Sequence, residues 1–196
     1  AYVCHQLLLN PQLNILVVSA SKNRADDFST FTLRLINEID VLAHLKPSDD
    51  QRQSKVSFDV KPARASHAPS VKSLGITGQL TGSRSDLVIA DDVESANNSA
   101  TMGMRDKLSE QVKEFESILK PQGRIIFLGT MQTEMSLYNQ LPARGYKQRI
   151  WTARYPTKKQ VSNFGKTLAP FIRNTWNDDI IGKPTDADRF DEEDLF

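Results

Sequence analysis

A single cysteine and three histidines stand among the 196 residues, and no apolar run approaches the roughly 20 residues needed to cross a bilayer. Cys4 can form no disulfide within the chain. Lying in an apolar helical stretch, it is expected to be buried as a small hydrophobe. His5, His44 and His67 are scattered without ligand-like spacing to Cys4, so no zinc site is expected. The first residues do not resemble a signal peptide, which together with the missing apolar run points to an intracellular protein. Also missing is any Gly-x-x-x-x-Gly-Lys-Ser/Thr segment, the loop whose backbone amides cradle phosphates.

Acids are absent from two long stretches. Between Val60 and Ser85 there are four basic residues (Lys61, Arg64, Lys72, Arg84) and no acid. From Arg144 to Trp176 there are eight (Arg144, Lys147, Arg149, Arg154, Lys158, Lys159, Lys166, Arg173), interleaved with Tyr146, Trp151, Tyr155, Phe164 and Trp176, again with no acid. From Asn177 to Phe196, eight acids face two bases, a local net of −6, although the whole chain carries only +1. Such segregation suits a surface that meets a polyanion, while separate solvated faces remain the plainer explanation.

What is present is dominated by Asp86-Leu87-Val88-Ile89-Ala90-Asp91-Asp92-Val93-Glu94, an apolar run that ends abruptly in acids. A continuous run of this kind fits a strand covered on both faces, and its C-terminal acids would face the crevice where parallel sheets bind ligands. That is the layout of a Walker B strand, in which one carboxylate holds Mg²⁺ against nucleotide phosphates and a neighbour orients the attacking water. A buried strand ending in a solvated acidic turn gives the same pattern, so the surrounding elements decide.

These elements alternate. Tyr2 to Leu9 reads as the end of a helix and Asn14 to Ala20 as a buried strand. A helix follows with Phe28, Phe31, Leu35, Ile39 and Leu42 as its apolar stripe. Val56–Val60 and Val71–Thr77 read as short strands. After the acidic turn, Asn97-Asn98-Ser99 is cap-like, and Met104, Leu108, Val112, Phe115, Ile118 and Leu119 form an amphipathic helix that Lys120-Pro121-Gln122-Gly123 stops. Arg124 to Leu128 is a second buried strand, ending in Gly129-Thr130-Met131-Gln132. A short helix at Glu134–Leu141, a strand at Tyr146–Thr152 and a helix from Lys158 to about Trp176 complete the chain. An acid-tipped strand, a helix and a strand tipped by Gly-Thr follow the order of additional-strand P-loop ATPases, where the second tip contacts the γ-phosphate or the catalytic water. Thr130 and Gln132 are the candidates for that role, a helix cap being the alternative.

The stretch Leu80 to Glu94, with Asn98-Ser99-Ala100-Thr101-Met102-Gly103, Ile126 to Tyr138 and Gly182-Lys183-Pro184-Thr185-Asp186, resembles the large terminase subunit of tailed double-stranded-DNA phages, in its short-tailed branch. The resemblance implies a three-layer α/β fold of the additional-strand P-loop class, with a mainly parallel sheet flanked by helices. It also implies an ATP- and Mg²⁺-dependent motor that drives double-stranded DNA into a procapsid in the host-cell cytoplasm. Such a motor works as a homo-oligomeric ring with a portal and a small terminase subunit, without a membrane, and carries an endonuclease domain. Matched position by position, Asp91 is the metal carboxylate and Asp92 or Glu94 the catalytic acid. Arg84 matches the arginine inserted into a neighbouring subunit's site, and Gly129, Thr130 and Gln132 match the coupling motif.

Residues 1–143 would then be an ATPase core entered just after its missing P-loop, 144–176 a lid-like region, and 177–196 an acidic tail leading to the nuclease. Without the P-loop, this chain alone is expected neither to bind ATP tightly nor to hydrolyse it. A helicase-like translocase, or a non-catalytic nucleic-acid-binding module built on the basic stretches, fits the same residues less closely.

Overall fold

The computed structural model describes residues 1–80, 82–131, 133–191 and 193. It divides into two compact units, Ala1–Asn139 and Gln140–Phe196.

The first unit is an α/β layer structure around a five-stranded mixed sheet in the order β2-β3-β1-β4-β5. Its strands are β1 (Ile15–Ser19), β2 (Ser57–Phe58), β3 (Val71–Gly75), β4 (Ser85–Asp91) and β5 (Leu119–Leu128). β3, β1, β4 and β5 run parallel, and only β2 is antiparallel. The continuous apolar runs of β1 and β4 follow from burial on both faces. Ile15, Val17, Leu87 and Ile89 join a core with Val3, Cys4 and Leu7 of α1 (Tyr2–Leu9) and Ile36 of α2 (Lys22–Glu38). The alternate residues Leu16, Val18, Val88 and Ala90 are buried on the opposite face. Cys4 is buried as expected and its thiol donates to the Thr32 carbonyl at 3.8 Å.

Three expectations need correction here. The buried stripe of α2 is Ala25, Ser29, Thr32 and Ile36, whereas Phe31 and Ile39 are exposed. The cause is the close approach of α2 to β3: a Cβ on Gly75 would lie 2.8 Å from the Lys22 amide, so small side chains form the seam and larger ones flank it. β5 begins earlier than Arg124 and is half-buried rather than buried, because it is the last strand of the order. Lys120-Pro121-Gln122-Gly123 makes an irregular start to that strand, with Gln122 at φ +65 and a register shift against Ser85/Leu87; an edge strand tolerates Pro121, which has no amide to donate. Finally, α4 (Met102–Ser117) is capped by Thr101, and Ser95 with Asn98 caps the separate one-turn α3 (Ala96–Ser99). α4 buries Leu108, Val112 and Phe115, the last with its ring 5.9 Å from that of Phe127 on β5.

In the second unit the expected strand at 146–152 is not formed. Ile150 makes one isolated bridge, to Leu168. The long helix is broken into α6 (Lys158–Phe164), a 3-10 turn, and α7 (Pro170–Thr175). Gly165, at φ +51, closes α6, and Pro170 cannot sit inside a continuous helix because it lacks a donor and its ring collides with the preceding turn. Leu168, Ala169 and Ile172, with Tyr155, Val161 and Phe164, form this unit's small core.

Candidate nucleotide-facing site at the carboxyl edge of the sheet

Because β1, β4 and β5 are parallel and in register, Ser19, Asp91 and Leu128 lie side by side where the three strands end. The chain turns at Asp92, whose φ of +45 is a left-handed conformation that aspartate accepts more readily than most residues. Two backbone hydrogen bonds pin the turn. The Asp92 amide donates to the Leu128 carbonyl at 2.9 Å, and the Asp92 carbonyl accepts from Ala20 at 3.3 Å. Asp91 and Asp92 therefore stand beside Gly129 and Thr130, at the edge where open parallel sheets take their ligands.

The charges there are poorly compensated. Burial, then the neighbouring charge of Asp92, raises the Asp91 carboxyl above its ordinary range, against a smaller opposing pull from Arg24. Arg24, near the start of α2, reaches Asp92 at 3.7 Å, but both side chains are at least half exposed, so the pair is weak. No cluster of three or more His, Cys, Asp or Glu side chains suited to a metal occurs among the described residues. Mg²⁺ needs no such cage, because one or two carboxylates with phosphate oxygens and water satisfy it.

Glu94 belongs to a different environment. It is 4% exposed, and its Oε2 accepts from the Ser136 hydroxyl at 2.8 Å and the Leu137 amide at 2.7 Å. Its Oε1 is buried with no hydrogen-bond partner among the described residues. Glu94 thus ties the segment after the β4 tip to the segment after the β5 tip. Tyr138, next along on α5 (Leu137–Gln140), donates its hydroxyl to the Leu128 carbonyl at 3.3 Å, and burial pushes its phenol up to about 12. A side chain at Gly129 would overlap that phenol, which is why glycine stands there. Thr130 is exposed beside it, and Gln132 lies outside the described residues.

Arg84 is elsewhere. It precedes β4, seven residues from Asp91, so at the rise of an extended strand the two lie about 20 Å apart, on opposite edges of the sheet. Arg84 therefore cannot serve the acids of its own chain. In the second unit, Tyr155 and Phe164 pack into the core and the Trp176 indole donates to the Pro156 carbonyl at 2.7 Å, so these aromatics support structure. Trp151, 65% exposed, stacks on Phe171 at 6.1 Å.

Arg24, Ser136 and Tyr138 were not singled out from sequence. Arg24 was findable in principle: a helix that follows a parallel strand starts at the same edge as the tip of the strand beside it.

The class that the fold and this edge define is an α/β protein with a mainly parallel sheet whose central strands end in a poorly compensated acidic pair. Within that class the chain is 53% identical, over an alignment of 202 positions covering all of it, to the terminase large subunit of Enterobacteria phage T3. The chain spans about a third (34%) of that relative's length. No protein-family profile matches the chain.

Proposed function

We propose that this chain supplies the acidic half of the ATP-hydrolysing centre of a viral DNA-packaging motor. The observation that carries the reading is the placement of Asp91 and Asp92 beside Gly129 and Thr130 in a chain that aligns over its given length with about a third of a terminase large subunit. Asp91 would hold Mg²⁺ and Asp92, at the open turn, would orient water; Glu94, whose Oε2 is already engaged, fits better as the tie between the two strand tips. When bound, the metal would neutralise charge on the β- and γ-phosphates of ATP. Gly129 and Thr130 would face the terminal phosphate, with Gln132 next in the same motif.

Arg84 would act in a neighbouring subunit, since its distance from Asp91 excludes a role within one chain. A guanidinium so placed accelerates phosphoryl transfer by about 10³ to 10⁵ in well-studied systems. On this reading residues 1–143 form the core, 144–176 a lid-like region and 177–196 a tail toward a nuclease. Double-stranded DNA, a portal or procapsid, a small subunit and sister subunits in a ring would be the partners, in the host-cell cytoplasm. Among the described residues no helix is long and apolar enough to cross a membrane.

The test is Asp91→Asn in the full-length protein. ATP turnover should fall by about a hundredfold or more while DNA binding persists; unchanged turnover would favour a nucleic-acid-binding module, and strand unwinding by the parent protein would favour a helicase. Mixing Arg84→Ala with Asp91→Asn subunits should restore part of the hydrolysis, and no restoration would remove Arg84 from the mechanism.

A further inference from the structure

The opposite, amino edge of the sheet holds a cavity of about 390 Å³, within the range of small-ligand sites. Its wall is held by side chains rather than left as a free loop. Asn14, just before β1, donates through its side-chain amide to the carbonyls of Ala68 and Pro69, both at 2.9 Å. Gln12 donates to the Pro62 carbonyl at 2.7 Å and accepts from the Arg64 amide at 3.0 Å, and Arg52 donates to the carbonyls of Ser66 and His67.

Lys72, Arg84, Lys120 and His67 line this cavity, and no acid among the described residues does. One of these charges is already answered. Lys120 contacts Asp86 at 2.8 Å and Asn14 Oδ1 at 2.5 Å, and Asp86 also accepts from the Asn14 amide at 2.7 Å. The other two strong cations are not. Lys72, half-buried on β3, donates to the Ser83 hydroxyl at 3.3 Å, and among the described residues neither Lys72 nor exposed Arg84 pairs with an acid.

Two cations without an acid partner, lining one concave site together with Ser66, Ser83 and Ser85, call for a compact polyanion. A DNA duplex presents its phosphates along a convex rod and is met by cations set out in a row. We infer that the amino-edge cavity is a polyphosphate-binding site in which Lys72 works with Arg84. The inference rests on the Arg84 reading above for the source of the phosphates, a nucleotide held at the acidic edge of a second copy, and adds Lys72 as the second cation.

The chain should be titrated with inorganic tripolyphosphate and followed by amide NMR. Shifts are expected at Lys72, Ser83 and Arg84, and Lys72→Met and Arg84→Met should each weaken binding at least about fivefold without lowering the melting temperature. Raising salt from about 0.05 to 0.5 M should weaken it too, because the site is open to solvent. The inference is overturned if tripolyphosphate does not bind, if it shifts Arg24 and Asp92 instead, if neither variant weakens it, or if only a 30-base-pair duplex shifts these residues. Subunit mixing separates this inference from the parent reading. Restored hydrolysis with no tripolyphosphate site keeps Arg84 in trans and removes the pocket, whereas binding without restoration keeps the pocket and removes the trans role.

Discussion

β4 carries an acid near each end, and the two are treated differently. Asp86, at its second position, accepts from the Asn14 amide at 2.7 Å and from Lys120 at 2.8 Å, so its charge is neutralised within the fold. Asp91, at the last position, has Asp92 beside it and only the distant pull of Arg24, and its carboxyl is raised rather than lowered. The first arrangement stabilises the sheet. The second leaves a charge seeking a ligand, the local conflict that functional sites impose on folds.

The comparison is broken most forcefully at Glu94, the third acid of the same edge. If it is a structural tie, Glu94→Ala leaves the Ser136 hydroxyl and the Leu137 amide without their acceptor in a buried site. The expected loss is about 2–3 kcal/mol in urea unfolding, with Glu94→Gln losing less because it keeps an acceptor oxygen. If Glu94→Ala unfolds like the parent, the tie carries no stability and Glu94 returns to the ligand-seeking group with Asp91.

How far the sequence could reach is visible in these same residues. β1 and β4 were legible because burial on both faces writes an unbroken apolar run, and their parallel order then puts Asp91, Asp92, Gly129 and Thr130 at one edge. The partners of Glu94 were not legible, since Ser136 and the Leu137 amide lie 42 and 43 residues away. β5 misled because Pro121 and Gly123 read as a helix stop, yet at an edge they read equally well as an irregular strand. On α2, apolar size pointed to Phe31 and Ile39, but the near contact with β3 selected small side chains for the seam. The Tyr146–Thr152 strand failed because a period of alternation needs a partner, and Leu168 supplies only one bridge.

A smaller effect is expected at the compensated end. Asp86→Ala removes the acceptor of both Lys120 and the Asn14 amide, with side chains about a quarter to a third exposed. A loss of about 1 kcal/mol in the same unfolding measurement is expected, since solvent partly replaces the interaction. Lys120, keeping only its contact to the neutral Asn14 Oδ1, would also become a third cation without an acid partner at the amino-edge cavity, so tripolyphosphate should bind Asp86→Ala more tightly than the parent. Weaker binding would mean that Asp86 organises the cavity rather than offsetting it.

The smallest change, opposite in sign, belongs to Asp91→Asn. Burial and Asp92 lift the Asp91 carboxyl above its unfolded value of about 3.9, so the folded chain holds this proton more readily than the unfolded one. The resulting stabilisation is present below about pH 4 and is lost as pH rises through the raised value, which leaves an ionised Asp91 opposing folding at pH 7. Asparagine never ionises. Asp91→Asn should therefore melt slightly higher than the parent at pH 7, with the difference closing as the pH approaches 4. A lower melting temperature at pH 7 would make Asp91 a structural acid of the Asp86 kind, and the contrast between the two ends of β4 would not survive.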